Sequence, residues 1–199
     1  MKEVFLTTLR NLETPLTEFR TAAHHLCDLL AAEAINSIPL ASHSVHTPLG
    51  FSKGAQLSHQ VILIAILRAG LIFLPSFQKI FSEAPIGFFG IRRDEETANP
   101  RLYYENLPKI SDQDWILLLD PMLATGGSSS LAIHHLSQAG ASLHRLIHVS
   151  VLAAQEGIDL IYKQFPSVKI ITAAIDPALN SKKFIVPGLG DFGDRYFGT

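Results

Sequence analysis

The sequence of 199 residues predicts an α/β fold, in which an open, mostly parallel, twisted sheet is flanked by helices. Three observations lead to this prediction. Five short apolar runs are continuous rather than alternating, which is typical of parallel strands covered on both faces. A helical apolar pattern separates the third run from the fourth, as in a right-handed βαβ unit. A second stretch with helical spacing precedes all five runs.

The first predicted element is a helix over residues 14–36, with Thr14 as N-cap and Pro15 at the first helical position. The five apolar runs are the predicted strands: Val61–Leu67, Ile86–Ile91, Trp115–Leu119, Leu146–Leu152 and Val168–Ala173. A further predicted helix follows the third strand and ends at Gly140. Its apolar face is formed by Ala132, Ile133, Leu136 and Ala139.

Two segments lack either regular period. Residues 92–114 are polar and predict a long loop or hairpin, and loops of this length are often functional lids. Residues 176–199 are rich in glycine and aromatic residues, so we expect an irregular segment held by specific contacts. The length favours a single domain over residues 1–199.

Composition excludes several classes of protein. Hydrophobic residues at 47% and charged residues at 17% argue against disorder, and a net charge of −2 argues against a general nucleic-acid binder. The apolar runs are too short to cross a membrane, and the first residues show no secretion signal, so we expect a cytoplasmic protein. Nine histidines and a single cysteine, Cys27, form no zinc-like cluster, so no metal-ligating residue is predicted.

The stretch WILLLDPMLATGGSSS carries the clearest chemistry. A buried strand ends next to Asp120, which can accept hydrogen bonds from sugar hydroxyls. Gly126 and Gly127 allow the main chain to approach an anion at a helix N-terminus, and Thr125 and Ser128 add hydroxyl donors. The pattern favours a phosphorylated sugar, with a plain strand-to-helix turn as the alternative. The motifs of P-loop triphosphatases and of dinucleotide-binding folds are absent from the sequence.

The segment LLLDPMLATGGSS resembles the phosphoribosyl pyrophosphate loop of type I phosphoribosyltransferases, and DPMLATGGS resembles their uracil-specific branch. ILRAGL, RRDEETANPRLYYENLP and FIVPGLGDFGDRYFGT match that branch in the same order, and LTTLRN with TPLTEFR matches more weakly. The resemblance covers nearly the whole chain. It implies transfer of a phosphoribosyl group from phosphoribosyl pyrophosphate to uracil, which gives UMP and diphosphate in pyrimidine salvage, with Mg²⁺ as cofactor.

The resemblance also implies a role for each residue. Arg68 and Arg93 bind the diphosphate, for which guanidinium groups are well suited, whereas neighbouring Arg92 is not expected to take part. Asp120 holds the ribose hydroxyls and Asp191 contacts the cosubstrate, so Asp120, Arg68 and Asp191 are the expected catalytic residues. The expected cosubstrate loop is Asp120, Pro121, Met122, Leu123, Ala124, Thr125, Gly126, Gly127 and Ser128. The residues expected to bind uracil, mainly through backbone groups, are Ile185, Gly190, Asp191 and Phe192.

Before the resemblance is considered, the alternative for Arg68 is a structural ion pair, and the alternative for Asp191 is the capping of a turn. The sequence departs from the family pattern at several positions: Ile72, Asn106, Pro177, Lys183, Phe184 and Phe192. The family implies a homodimer or larger assembly, and a response to GTP in some members. The alternatives are a phosphoribosyltransferase for another base and a regulator that binds nucleotide or RNA. FIVPGLGD argues against the first, and the charge balance argues against the second.

Overall fold

A computed structural model describes residues 1–93 and 100–199, and for Arg93 the backbone alone. Its helices are α1 (Lys2–Arg10), α2 (Leu16–Ile35), α3 (Leu74–Ile80), α4 (Gly127–Gln138), α5 (Gln155–Gln164) and α6 (Phe192–Phe197). Its strands are β1 (Leu40–Thr47), β2 (Gly50–Leu57), β3 (Val61–Leu67), β4 (Ile86–Arg93), β5 (Pro100–Asn106), β6 (Trp115–Leu119), β7 (Met122–Leu123), β8 (Leu146–Ala154), β9 (Lys169–Asp176), β10 (Ala178–Leu179) and β11 (Ile185–Val186). No helix in these residues has the length and hydropathy needed to cross a membrane.

The central sheet has the strand order β5-β4-β3-β6-β8-β7, and β9 also pairs with β8. All of its pairings are parallel except the antiparallel pair of β4 with β5. The predicted fold class is therefore confirmed. The chain passes from β3 to β4 on one side and returns to β6 on the other side of β3. Ligands bind at such a switch point, outside the carboxyl ends of the two strands.

Apolar side chains cover both faces of the sheet. Val61 and Leu63 of β3 pack with α1, α2 and α3, whereas Ile62, Ile64 and Ile66 pack toward α4 and α5. Full burial of such a side chain contributes about 1.5–3 kcal/mol to folding. This two-sided burial explains why the strands read as continuous apolar runs.

The structure confirms the predicted strands, which coincide with β3, β4, β6, β8 and β9. The predicted start of the first long helix is wrong. Pro15 is the N-cap of α2, in an extended conformation, and the helix begins at Leu16. The hydroxyl of Thr14 instead donates to the carbonyl oxygen of Thr8 at 2.6 Å and so closes the turn between α1 and α2. Gly140 follows α4 with φ of 100°, as expected of a helix stop.

The antiparallel hairpin of β1 and β2 was not predicted. Neither strand contains a buried residue, so no alternating apolar pattern marks them in the sequence. Near its tip, Leu49 is 100% exposed and Phe51 is 83% exposed. We refer to residues 40–57 as the hairpin arm.

Of the two segments without a regular period, the first includes a hairpin, one of its two expected forms, and the second contains more order than the sequence indicated. Strands β4 and β5 form a hairpin, in which Arg92 lies opposite Arg101. The C-terminal segment contains the two-stranded pair of β10 with β11 and the short helix α6. The strands β10 and β11 and the helix α6 are too short to produce a detectable period.

Candidate active site

The phosphate turn, residues 120–128, joins β6 to α4. Its shape depends on close backbone packing. Gly126 has φ of 80°, and a Cβ atom there would lie 2.9 Å from the carbonyl oxygen of Gly157. The first hydrogen bond of α4 runs from the N–H of Ser130 to the carbonyl oxygen of Gly126 at 2.8 Å. The N–H groups of residues 127–129 precede that bond, where a phosphate can accept from them.

Arg68 follows β3 directly, and the peptide bond between Leu67 and Arg68 is cis. The turn lies tight against β6, since a Cβ atom on Gly70 would be 2.4 Å from the carbonyl oxygen of Leu119. This explains the glycine in ILRAGL. The backbone packing fixes the base of the Arg68 side chain beside the end of β6, next to Asp120.

The guanidinium group of Arg68 forms a weak ion pair rather than a buried one. Its Nη2 lies 3.4 Å from Oδ1 of Asp194, and the Arg68 side chain is 62% exposed. The group also lies over the ring of Phe197, at 5.6 Å from the centroid. An exposed ion pair of this kind contributes at most about 1 kcal/mol, so an anionic ligand can replace it.

A cleft of about 440 Å³ lies at the switch point between β3 and β6. It is lined by Ile66, Leu67, Arg68, Ala69, Ile91, Asp120, Met122, Ala124, Ser128, Lys182, Phe184, Ile185, Gly190, Asp191, Phe192 and Gly193. A small pocket in the phosphate turn adjoins it and is lined by Asp120, Met122, Ala124, Thr125, Gly126, Gly127, Ser128 and Ser129. The structure therefore brings both ends of the sequence-predicted site together.

Two predicted residues stand apart from this surface. Leu123 is buried in the core. Pro121 is also buried, and its carbonyl oxygen accepts from the N–H of Val151 at 2.9 Å. Both residues support the phosphate turn from behind. The side chain of Arg93 lies outside the described residues. Its neighbour Arg92, which the sequence analysis set aside, lines a recess of about 330 Å³ together with Arg68.

Asp191 both caps a helix and lines the cleft. Its Oδ1 accepts from the N–H of Asp194 at 2.9 Å, so it caps α6, which was the alternative reading of this residue. The same residue lines the cleft. Phe192 is 1% exposed, and its ring packs against Phe19 and Tyr196. Because the ring belongs to the core, the backbone of Phe192 is the part available to a ligand.

The base turn, residues 187–190, is held by charged groups that sequence reasoning did not single out as site residues. Arg10 donates to both carboxylate oxygens of Asp176, at 2.7 and 2.6 Å, and to the carbonyl oxygen of Gly188 at 2.8 Å. Asp176 accepts from the N–H of Gly188 at 2.8 Å. Arg195 donates to the carbonyl oxygens of Leu189 and Leu9. The matching segments LTTLRN and FIVPGLGDFGDRYFGT contain Arg10 and Arg195, but nothing in the sequence shows which partners these residues meet.

Lys183 is a departure from the family pattern with a visible structural consequence. It has φ of 63°, a conformation that favours glycine. The side chain of Asn180 supports this turn, because its Oδ1 accepts from the N–H groups of Lys182 and Phe184 at 2.9 and 3.0 Å. The turn places Lys182 and Phe184 at the cleft. Ile72, another departure, is buried in the core.

A polar pair lies buried behind the phosphate turn. The hydroxyl group of Ser129 is 2.9 Å from Nε2 of His148. Burial lowers the pKa of His148 to about 4, so the imidazole is neutral at pH 7. Its Nδ1 atom and the hydroxyl of Ser150 have no hydrogen-bond partner among the described residues. Such buried, unpaired polar atoms are costly.

Comparisons with known proteins agree with this geometry. Residues 2–199 match the family model described as uracil phosphoribosyltransferase. The uracil phosphoribosyltransferase of Salinibacter ruber is 41% identical over 194 residues, which cover 98% of this chain and 91% of that protein. A solved structure of a protein from Aquifex aeolicus is 34% identical, with a TM-score of 0.91, and covers 100% of this chain and 94% of the other. A purine phosphoribosyltransferase from Pyrococcus horikoshii, 13% identical with a TM-score of 0.50 over 78% of this chain and 81% of the other, is similar in fold alone.

Proposed function

The chain belongs to the uracil phosphoribosyltransferase family, and from this premise we propose that it transfers the phosphoribosyl group of phosphoribosyl pyrophosphate to N1 of uracil. The products are UMP and diphosphate. One observation carries the proposal: a single cleft joins the phosphate turn to the backbone of residues 185–193. A phosphorylated sugar and a base would thus meet between Arg68 and Asp120.

The phosphate turn would bind the 5′-phosphate. Its N–H groups and the hydroxyls of Thr125 and Ser128 supply donors, and the N-terminal end of α4 favours negative charge. Asp120 at the end of β6 would accept hydrogen bonds from the ribose hydroxyls. Arg68, with Arg93 as a further candidate, would bind the diphosphate through charge-assisted hydrogen bonds.

The reaction is a displacement at the anomeric carbon: the bond from carbon to the diphosphate oxygen breaks and the bond to N1 forms. The electron pair of the broken bond leaves with the diphosphate, and the diphosphate takes up the proton that N1 of uracil loses. No covalent nucleophile of the protein is required. Asp120 and Asp191 would stabilise the positive charge that develops on the ribose, while Arg68 would stabilise the leaving group.

The donor atoms of the cleft suit Mg²⁺. Asp120 and Asp191 provide carboxylate oxygens, the hard ligands that Mg²⁺ prefers. Among the described residues no group of three or more potential metal ligands occurs. One or two carboxylates and the cosubstrate's own phosphate oxygens would therefore share the ion, as is usual for Mg²⁺. When bound, Mg²⁺ would neutralise charge on the diphosphate.

Uracil recognition would depend on backbone groups. Ile185, Gly190 and Phe192 lie at the cleft, and their N–H and C=O groups can pair with the O2, N3–H and O4 edge of the ring. Cytosine would place an amino group where a carbonyl oxygen is expected. The resulting unpaired buried group would cost about 1–3 kcal/mol.

The hairpin of β4 and β5 is suited to act as a lid. Pro100, at the start of β5, lies so close to Gly127 that a Cβ atom there would be 3.4 Å from the proline ring. Glu105 of the same strand pairs with Nδ1 of His135 on α4 at 2.7 Å. The hairpin is therefore anchored next to the phosphate turn, where closure would exclude water from the reaction.

The remaining expectations concern assembly, regulation and location. The hairpin arm exposes Leu49 and Phe51, and a two-stranded hairpin alone is marginally stable in water. A second copy of the chain would cover this arm in the homodimer. Light scattering tests this, because Phe51→Asp would shift a dimer toward monomer.

An effect of GTP on the rate and a cytoplasmic location are also part of the proposed function. The first is tested by adding GTP to the assay and the second by cell fractionation.

The proposed function is tested with radiolabelled uracil, phosphoribosyl pyrophosphate and Mg²⁺. Formation of UMP that depends on all three is the expected result. Hypoxanthine, adenine, orotate and cytosine serve as competing bases, and turnover of one of them in place of uracil would assign another specificity. Binding of nucleotide or RNA by the folded protein, without UMP formation, would indicate a regulator instead.

A further inference from the structure

We propose that Arg10 and Asp176 are positioning residues for the uracil end of the cleft, because together they hold both backbone polar groups of Gly188 and so set the conformation of the base turn. This inference rests on the proposed function. It assigns a role in base binding to two residues that do not line the cleft themselves.

Asp176 is the centre of this arrangement. It is the last residue of β9, is 5% exposed and is hydrogen-bonded to the base turn. Each carboxylate oxygen accepts from a different nitrogen of Arg10, and one of them also accepts from the N–H of Gly188. The hydrogen bonds from Arg10 hold the pKa of Asp176 below its ordinary value. The carboxylate is therefore ionised and fixed in orientation at neutral pH.

Both backbone polar groups of Gly188 are hydrogen-bonded. Its N–H donates to Asp176 and its carbonyl oxygen accepts from Arg10. With φ of 64°, the residue adopts a conformation that glycine allows, and a Cβ atom there would lie 2.0 Å from the carbonyl oxygen of Ile185. The turn thus folds back on a residue proposed to contact uracil. Two residues later, Gly190 returns the chain to the cleft.

The placement of these contacts separates a positioning role from general stabilisation. Arg10 is the last residue of α1, and its Nη1 atom serves both the carboxylate and the base turn. The phosphate turn lies on other elements, between β6 and α4, and neither Arg10 nor Asp176 lines its pocket. Loss of the Arg10 contacts would therefore change the geometry at Ile185 and Gly190 and leave the phosphate end intact. A shift of about 1 Å at a binding group is sufficient to reduce a rate strongly.

The test uses Asp176→Asn and Arg10→Lys. Asparagine cannot accept from Arg10 at both positions, and lysine lacks the planar fork with which two nitrogens of Arg10 bind the two carboxylate oxygens. We expect KM for uracil to rise tenfold or more in Asp176→Asn and by a smaller factor in Arg10→Lys. The Kd for phosphoribosyl pyrophosphate with Mg²⁺, measured by calorimetry, should stay within twofold of the wild-type value. Cytosine should also compete better against uracil.

Lys2→Met is the matched control, because Lys2 belongs to the same helix and pairs with Glu33 away from the cleft. It should leave both constants unchanged. Equal losses of uracil and cosubstrate binding, or an unchanged KM for uracil in both variants, would overturn the positioning role while the wild-type activity stands. Absence of UMP formation by the wild-type protein would instead remove the proposed function, and this inference with it.

Discussion

The two ends of the cleft are built in different ways. The phosphate turn is one continuous strand–turn–helix segment, in which glycines and the first turn of α4 supply the geometry locally. The base turn depends on partners far away in sequence: Arg10 precedes Gly188 by 178 residues, and Arg195 reaches back to Leu9. A binding site made by neighbouring residues can be read from a short motif. A site made by distant residues cannot, although its contacts are as specific.

The largest effect should come from the phosphate end. Asp120→Asn should lower kcat by roughly 10²-fold or more, because the amide has no charge with which to stabilise the developing positive charge on the ribose. Steady-state kinetics at saturating substrates measure this. Asp112→Asn, an exposed position on the loop before β6, is the control and should be neutral. Near-normal turnover by a folded Asp120→Asn protein would remove Asp120 from the site.

A pair of glycine substitutions tests whether the two ends are independent. In Gly126→Ala the new Cβ atom would meet the carbonyl oxygen of Gly157, and in Gly188→Ala that of Ile185. We expect the first to raise KM for the cosubstrate about tenfold or more and the second to raise KM for uracil by a similar factor, since each distorts its own turn.

The control for this pair is Gly54→Ala in β2, where the nearest atom would lie at an ordinary distance of 3.4 Å. Initial rates measured over a grid of both substrate concentrations give the two KM values together. If both values rise by the same factor in either variant, the two turns are coupled and the comparison between them fails.

Smaller effects should distinguish the arginines beside the phosphate turn. Arg68→Gln should raise KM for the cosubstrate about tenfold, because Arg68 faces both the cleft and the recess beside it. Arg92→Gln should raise it only about two- to fivefold, because Arg92 faces the recess alone. Lys163→Gln, at an exposed position in the last turn of α5, controls for a general change in charge. An effect of Arg92→Gln larger than that of Arg68→Gln would reverse this order.

A separate effect, on stability and not on the rate, is a pH dependence from the pair behind the phosphate turn. The pKa of His148 is about 4 in the folded chain and 6.5 in its ordinary state. Between these values the unfolded chain binds more protons, so the free energy of unfolding falls as pH decreases from about 6.5 to 4, by roughly 3 kcal/mol at most. Urea unfolding at several pH values measures the slope.

The double variant Ser129→Ala, His148→Leu removes the polar pair together and avoids leaving one partner unpaired. Its free energy of unfolding should decrease less between pH 6.5 and 4.5 than that of the wild-type protein. His43→Gln, at an exposed position on β1, should leave the slope as it is. An unchanged slope in the double variant would show that His148 does not titrate in this way.

The fold was largely predictable because two-sided burial leaves a direct mark on the sequence. The strand β6 is an example: its apolar run has the same bounds in the prediction and in the structure. The hairpin arm left no such mark, since its strands have no buried face. Local chemistry also misled at Thr14, whose hydroxyl closes a turn instead of capping α2.

The site was predictable to the extent that motifs carry it. Arg68, Asp120 and Asp191, taken from the family pattern, line one cleft. The pairing of Arg10 with Asp176 could not be found in this way, although LTTLRN contains Arg10, because a bidentate ion pair between distant residues follows from the tertiary fold. His148 was equally hidden, since a single histidine in an apolar strand does not reveal which partner it meets.

The contacts of Arg10 also set an order of events during biosynthesis. The ribosome completes the phosphate turn while Asp176 and Gly188 are still untranslated, and Arg10, already synthesised, has neither partner until both have emerged. Closure over such a separation is slow compared with local folding. A nascent chain would therefore complete the segment that binds the sugar phosphate before the segment that selects the nucleobase.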